Sequence, residues 1–373
     1  MKKLPIIVVV IFCFKLSLAQ KPFINNGVDT ANTEIKEVIK LWENYLMSHP
    51  DSLYDNPYWS KEEKSKYKDF DLLRTSFNPT LYMGFLPTVL SVKPVDEFYE
   101  IKTIFSACTD SGYSNPLCVM NVYAKKEGNE DKLFNALPIN TRNWNKTKVA
   151  EITYHHPSSH KFSFERANKL KSFIDTLVTV YVLELVPIAF YLTDDFDEMQ
   201  KARGLECYMG MGNLKNNPGG RTDGTNKIIY SGGGDEYYAH EIVHIYLSPL
   251  FPNCHYYFAE GIATYYGGSI GYPLEWHIQR MDLYLDQHPE IDLNDLFSFW
   301  YMDKLTNPAY VFGGLFCQMA LEKGGIKKLK KLMNYGAKPE DFYTAIQKEF
   351  GIKKENLDQF LRKEIKTRAE KIK

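Results

Sequence analysis

Two histidines four residues apart constrain this chain more than any other feature. Residues 235–247 read DEYYAHEIVHIYL, and His240 and His244 can face one ion only if that run is helical. Four residues slightly exceed one helical turn, so both imidazoles project from the same face. Glu241 is turned by about 100° from His240. That offset keeps it off a shared ion yet near a water held there. The run follows a strand-like stretch, Lys227–Ser231, and the glycines Gly232, Gly233 and Gly234. Asp235 stands where an N-cap would satisfy free helix amides. Glu260 follows His244 by sixteen residues, inside the helix-like run YFAEGIATYY. A carboxylate there can return across a turn and complete a two-His, one-Glu site. Its fourth position would stay open, as in catalytic zinc sites. The expected cofactor is Zn2+, one per chain.

The rest of the chain divides around this helix. Residues 33–47 place Ile35, Val38, Ile39, Trp42, Tyr45 and Leu46 at helical spacing. Residues 87–154 alternate turns with short β-rich runs: TVLSV, EFYEIKTIFSA, LCVMNVYAK, KLFNAL and KVAEITYH. This pattern predicts a small α+β domain over 20–156, a helix followed by an antiparallel sheet. A boundary is expected near 156–163. A second domain, 164–373, opens with an amphipathic helix over 164–185. A strand (187–192), a helix (196–203), a Gly- and Asn-rich loop (209–225) and the strand 227–231 follow. From about 271 the pattern is helical. His155, His156 and His160 lie in a Pro-Ser loop with no carboxylate nearby in sequence, and read as solvated. His255 reads as structural, with a role beside Glu260 as the alternative. The basic C-terminal residues Lys363, Lys366, Arg368 and Lys371 read as a solvated face.

The chain opens MKKLPIIVVVIFCFKLSLAQ, the layout of a secretory signal peptide cut after Ala19. The apolar run is short for a membrane span and is interrupted by Lys15. An uncleaved anchor is the alternative. The expectation is an exported protein, periplasmic or extracellular, without a stable membrane span. Loss of three lysines with this segment takes the net charge from −1 to −4. A nucleic-acid partner has no electrostatic support in that balance. The cysteines left, Cys108, Cys118, Cys207, Cys254 and Cys317, are too few for a disulfide scaffold. Cys108 and Cys118 bracket a turn-like stretch, where a bridge is expected in an oxidising compartment. Cys317 reads as a buried thiol.

His240-Glu241-x-x-His244 followed by Glu260-Gly261-x-Ala263 resembles the gluzincin metallopeptidases, the broad peptidase-MA-like group. Ala309-Tyr310-x-x-Gly313 is similar to the segment that carries a transition-state tyrosine in zinc aminopeptidases. The tail, with Phe342-Tyr343-x-Ala345 and Phe350-Gly351, is similar to the helical end of those catalytic domains. The likeness covers about residues 165–365. It implies a zincin-like catalytic domain, a small sheet plus a helical C-terminal lobe. There are departures. The exopeptidase loop Gly-x-Met-Glu-Asn of the aminopeptidases has as its counterpart Met209-Gly210-Met211-Gly212-Asn213, with no Glu. The lysine usual before the glycine of the tyrosine segment is Phe312. Residues 20–155 match no aminopeptidase domain.

The resemblance implies a peptide or protein substrate and a zinc ion held by His240, His244 and Glu260. Glu241 is the expected general base and Tyr310 the expected donor to the developing oxyanion. Lys227–Ser231 is expected as an exposed edge that pairs with extended substrate. The missing loop glutamate favours internal cutting. Two other readings remain: an aminopeptidase, or a non-catalytic binding protein on the same scaffold.

Overall fold

The computed structural model describes residues 21–48, 56–68, 70–75, 85–108, 112, 114–208, 211–212, 219–233 and 235–372. The signal-peptide segment lies outside these residues. So do Met209, Gly210 and Asn213 of the loop compared with the aminopeptidases. The fold is α+β, with two mixed sheets. The chain separates into two compact units. One runs up to Asn140 and adds the excursion Gln200–Gly210; the other holds Thr141–Met199 and Met211–Lys373. Among the described residues, no helix is long and apolar enough to cross a membrane.

The first unit is built on a sheet of order β1-β2-β3-β4-β5, formed by Phe23–Ile24, Leu86–Val95, Phe98–Cys108, Ser114–Glu127 and Glu130–Phe134. Strands β2 to β5 are antiparallel, while β1 joins in parallel. Helix α1 (Thr33–Leu46) starts at Asn32, whose side chain accepts from the Glu34 and Ile35 amides. Its apolar stripe buries Trp42 and Tyr45, stacked at 5.3 Å. The Trp42 indole N–H donates to Thr103 Oγ1 at 3.0 Å, so this buried polar group is satisfied. The expected Cys108–Cys118 bridge is absent, and Cys118 is a free, buried thiol. Register is the reason: Cys118 faces Phe105, whereas Cys108 faces Ser114. Three residues of ladder separate the two by about 10 Å, beyond the reach of a disulfide.

A buried acid in this unit yields a pH prediction. Glu63 accepts from the Asn135 amide at 3.0 Å, but burial outweighs these bonds and pushes its pKa up to about 7. The folded state therefore binds the proton more tightly than the unfolded chain. Stability is full below the unfolded value of about 4.5 and is lost as pH rises towards 7. Glu63→Gln is expected to remove this loss and to stabilise the protein at pH 8 by on the order of 2 kcal/mol. Urea unfolding of both proteins at pH 5 and pH 8 checks it; an equal effect at both pH values would contradict it.

In the second unit, β6 (Asn145–Val149), β7 (Ile152–His156), β8 (Ile188–Thr193), β10 (Gly219–Asp223) and β11 (Ile228–Gly232) align in the order β10-β11-β8-β7-β6. The strands β7, β8 and β11 are parallel, and the two outer pairs are antiparallel. Central strands covered on both faces read as near-continuous apolar runs, as β8 and β11 do. Residues 145–156 depart from the expected single strand of the first domain. They fold into a hairpin at Ala150, where φ is 50°, and belong to this sheet. Conversely, β9 (Leu205–Tyr208) leaves this unit and pairs with β4.

Helices complete the unit: α2 (Phe164–Tyr181), α3 (Ala239–Leu247), α4 (Tyr256–Gly267), α5 (Leu274–Gln287), α6 (Pro308–Leu332), α7 (Pro339–Phe350) and α8 (Leu357–Lys371). Helix α2 ends earlier than expected because Val182 turns left-handed. Cys317 is buried on α6. Arg368 is not simply solvated: it clamps Glu322 of α6 with two bonds of 2.7 and 2.9 Å.

Candidate metal centre

Helix α3 carries His240, Glu241 and His244 at the heart of the second unit. The helix begins at Ala239, later than an Asp235 cap requires. Asp235 Oδ1 instead accepts from the Tyr237 amide at 2.8 Å, and Tyr238 takes the cap position. The fully buried Glu236 explains the delay. Its Oε1 is held by the Ser163 amide at 2.7 Å and by His160 at 2.9 Å, which ties the segment down before the helix starts. The three histidines expected in a solvated loop are not solvated, and His155 and His156 belong to strand β7. His160 finds its carboxylate in Glu236, His156 is 3% exposed, and His155 stacks on Tyr191 at 4.4 Å.

Helix α4 brings Glu260 to the histidines. Its cap is His255, whose Nδ1 accepts from the Tyr257 amide at 3.2 Å. Burial lowers the His255 pKa, consistent with a neutral acceptor in a structural role. Two close backbone approaches set the helix. A Cβ at Gly267 would overlap the His240 backbone nitrogen, and one at Gly261 would overlap the Gly313 backbone of α6. Just past the end of α4, the Gly268 carbonyl accepts from His240 Nδ1 at 2.7 Å. That bond places the proton on Nδ1 and leaves the Nε2 lone pair of the neutral ring turned inward.

Three donor atoms converge there. His240 Nε2 lies 3.3 Å from His244 Nε2 and 3.3 Å from Glu260 Oε2, and His244 Nε2 lies 3.6 Å from the same oxygen. Donors placed 2.0–2.1 Å from a tetrahedral ion stand about 3.3 Å apart, so the three residues fit zinc. Their electrostatics agree. Burial opposes charge on Glu260, but the bonds from His240 and His244 outweigh it and hold its pKa at about 2. Burial likewise disfavours charge on His240, yet Glu260 and Glu241 raise its pKa. Two imidazole nitrogens beside an ionised carboxylate form a donor set that could hold a cation.

The other expected residues are close by. Glu241, 6% exposed, has Oε2 held by the Thr222 hydroxyl at 2.6 Å. Tyr310 sits in the first turn of α6, behind the Asn307 cap and Pro308. Its ring stacks against His240 at 5.9 Å, and its hydroxyl bonds Tyr256 and Glu260. Burial pushes its pKa up, and the Glu260 charge adds to this. His240, Glu241, His244, Glu260 and Tyr310 all line one cleft of about 400 Å³.

A further expectation is overturned. The strand over the cleft is not Lys227–Ser231, because β11 is paired on both sides, by β10 and β8. Among the described residues the edge is β10, within the segment expected as a loop, and it lines the cleft with Gly220, Arg221 and Thr222. Thr222, bonded to Glu241, and the Gly268 carbonyl, bonded to His240, are members of the candidate site that motif reading misses. Of the two, only the Gly-Gly pair closing α4 leaves a trace in sequence, as a helix stop. Compared with known proteins, the chain matches no family model and no curated protein.

Proposed function

We propose that the chain is an exported zinc-dependent peptidase of gluzincin type that cuts peptide bonds internally. The observation that carries this reading is the convergence of His240, His244 and Glu260 within 3.3–3.6 Å, with Glu241 beside them on the same helix. When bound, zinc supplies Lewis acidity, which lowers the pKa of water and polarises a carbonyl. Glu241 takes a proton from the attacking water and returns it to the leaving amine nitrogen as the C–N bond breaks. Thr222 orients the carboxylate for both transfers. Tyr310 turns its hydroxyl from Glu260 to the developing oxyanion. The edge strand β10 pairs with an extended substrate. An edge strand runs on both sides of a cut, which suits an endopeptidase.

The test combines metal and specificity. Purified protein is expected to hold about one zinc per chain by elemental analysis, and to lose it in Glu260→Ala. It is expected to cut one peptide equally well with a free or an acetylated N-terminus. Stepwise release of single residues, blocked by acetylation, would make it an aminopeptidase. Absence of zinc after reconstitution, together with no hydrolysis of denatured protein, would leave a binding protein on this scaffold.

A further inference from the structure

Helix α5 places a buried histidine between two segments of the candidate site, the turn after α4 and the approach to Tyr310. His277 is 2% exposed, and both of its ring nitrogens are engaged. Nε2 lies 3.0 Å from the Ser269 carbonyl oxygen, one residue on from the Gly268 carbonyl that accepts from His240. Nδ1 lies 3.1 Å from Thr306 Oγ1, at the residue before the Asn307 cap of α6. One arrangement of protons satisfies this chain. A carbonyl only accepts, so Nε2 carries the ring proton. Nδ1 then accepts from the Thr306 hydroxyl, whose oxygen is left to accept from Arg280 Nε at 3.0 Å. Burial holds the His277 pKa below its ordinary value, in keeping with a neutral ring. Arg280 is in turn bonded to Asp303, whose Oδ1 accepts from the Leu305 and Thr306 amides at 2.8 Å.

We propose that His277 and Thr306 are positioning residues of the metal centre: through them one buried chain of hydrogen bonds fixes the aim of His240 and the place of Tyr310. The inference deepens the peptidase reading and rests on it for the reaction served. Both segments need fixing. Residues 269–272 form a tight turn, with Ile270 at φ of 50° and Gly271 at 79°, closed by Ser269 and Tyr272 bonding each other. Ile270 at its tip is 38% exposed, so His277 anchors the turn from the buried side. Residues 303–306 belong to no helix or strand, and Tyr310 follows them in the first turn of α6. A hydrogen bond sets a direction, which apolar packing does not. A partner that orients a metal-bound histidine is worth about 10- to 100-fold in affinity. His277 acts one bond further out, so the low end of that range applies to it.

Variants cut the chain on either side of His277. Thr306→Val removes the hydroxyl and leaves the bond from His277 to Ser269. It is expected to lower kcat for peptide hydrolysis about tenfold, with KM and zinc affinity within about twofold. Thr306→Ser keeps the hydroxyl and is expected to return kcat to within about twofold of the native value. His277→Phe keeps a ring and removes both bonds, and is expected to weaken zinc binding about tenfold in competition with a chelator. Ile365→Val, on the buried face of α8, controls for general loosening. It is expected to lower the melting temperature and to leave kcat and zinc affinity within about twofold. NMR gives readouts that need neither zinc nor turnover. Hydrogen exchange at His240 Nδ1 is expected to quicken at least about tenfold in His277→Phe and to stay within about twofold in Thr306→Val. The fluorine resonance of a fluorotyrosine placed at Tyr310 is expected to shift in Thr306→Val and to return in Thr306→Ser. These last two variants decide alone if His277→Phe does not fold. Both NMR responses without any hydrolysis by the native chain would keep the positioning role and overturn the peptidase reading. Unchanged exchange in His277→Phe, or a Thr306→Ser protein no closer to native than Thr306→Val, would overturn the positioning role.

Discussion

Glu241→Gln is expected to lower kcat/KM for peptide hydrolysis by about 100- to 10,000-fold while zinc stays bound at one per chain. The argument is one of chemistry at constant shape. Glutamine fills the same volume, and its carbonyl oxygen still accepts from the Thr222 hydroxyl, now 2.6 Å from Glu241 Oε2. Its amide cannot take a proton from water. The ligand atoms of His240, His244 and Glu260 belong to other side chains and keep their positions. The loss corresponds to about 3–5 kcal/mol of transition-state stabilisation. Since no buried bond is broken, the melting temperature is expected to move by less than about 2 °C. Elemental analysis, thermal unfolding and steady-state kinetics on the same preparation check the three statements together. Unchanged kinetics with zinc retained would remove Glu241 as the base. Loss of zinc would instead show that the substitution disturbs the ligands, and Glu241→Asp would then separate charge from reach.

What could be read in sequence follows a physical line. His240 and His244 are legible because helical geometry alone puts residues four apart on one face. Helix α1 and strands β2 to β4 are legible for the same kind of reason, since their apolar periods match the faces they bury. Strand β10 is not legible. Its sequence, GGRTD, has no β-branched or aromatic pattern beyond Thr222. It is a strand because tertiary packing makes it one: a Cβ at Gly219 would overlap the Phe196 ring, and one at Gly220 the Tyr238 ring. The position of Thr222 over Glu241, and with it the true edge of the sheet, is hidden for that reason. The His160–Glu236 pair is hidden by distance along the chain, since its partners stand 76 residues apart. Local pattern carries no information on which distant carboxylate a loop histidine will meet. Asp235 shows the converse error. A residue with the right cap chemistry sits at the right offset, but the tether on Glu236 fixes where the helix can begin.

Gly313→Ala is expected to destabilise the protein by at least about 3 kcal/mol and to weaken zinc binding, although Gly313 touches no ligand atom. Helices α4 and α6 cross where Gly261 meets Gly313, and a Cβ at Gly313 would overlap the Tyr257 carbonyl oxygen. That oxygen belongs to the backbone of α4, so no side-chain rotation relieves the clash. The helices have to separate. Glu260 is next to Gly261 on α4, and Tyr310 lies one turn before Gly313 on α6. Separation therefore moves the third ligand away from His240 and His244 and lifts Tyr310 off the His240 ring. At the far end of α4, the contact of Gly267 with His240 resists any compensating shift. The melting temperature is expected to fall by about 6–12 °C, and zinc affinity by at least tenfold. Gly325→Ala is the control. Gly325 breaks the later part of α6 with φ of 59°, and a Cβ there meets nothing within 4 Å. With ψ of −157° its backbone lies in a region that glycine alone adopts readily, so the substitution is expected to cost on the order of 1–3 kcal/mol of backbone strain and to leave zinc affinity unchanged. Thermal unfolding and competition with a zinc chelator measure both. Equal zinc affinity in Gly313→Ala and the native chain would mean that the helix crossing does not position Glu260, and the ligand set would have to be redrawn.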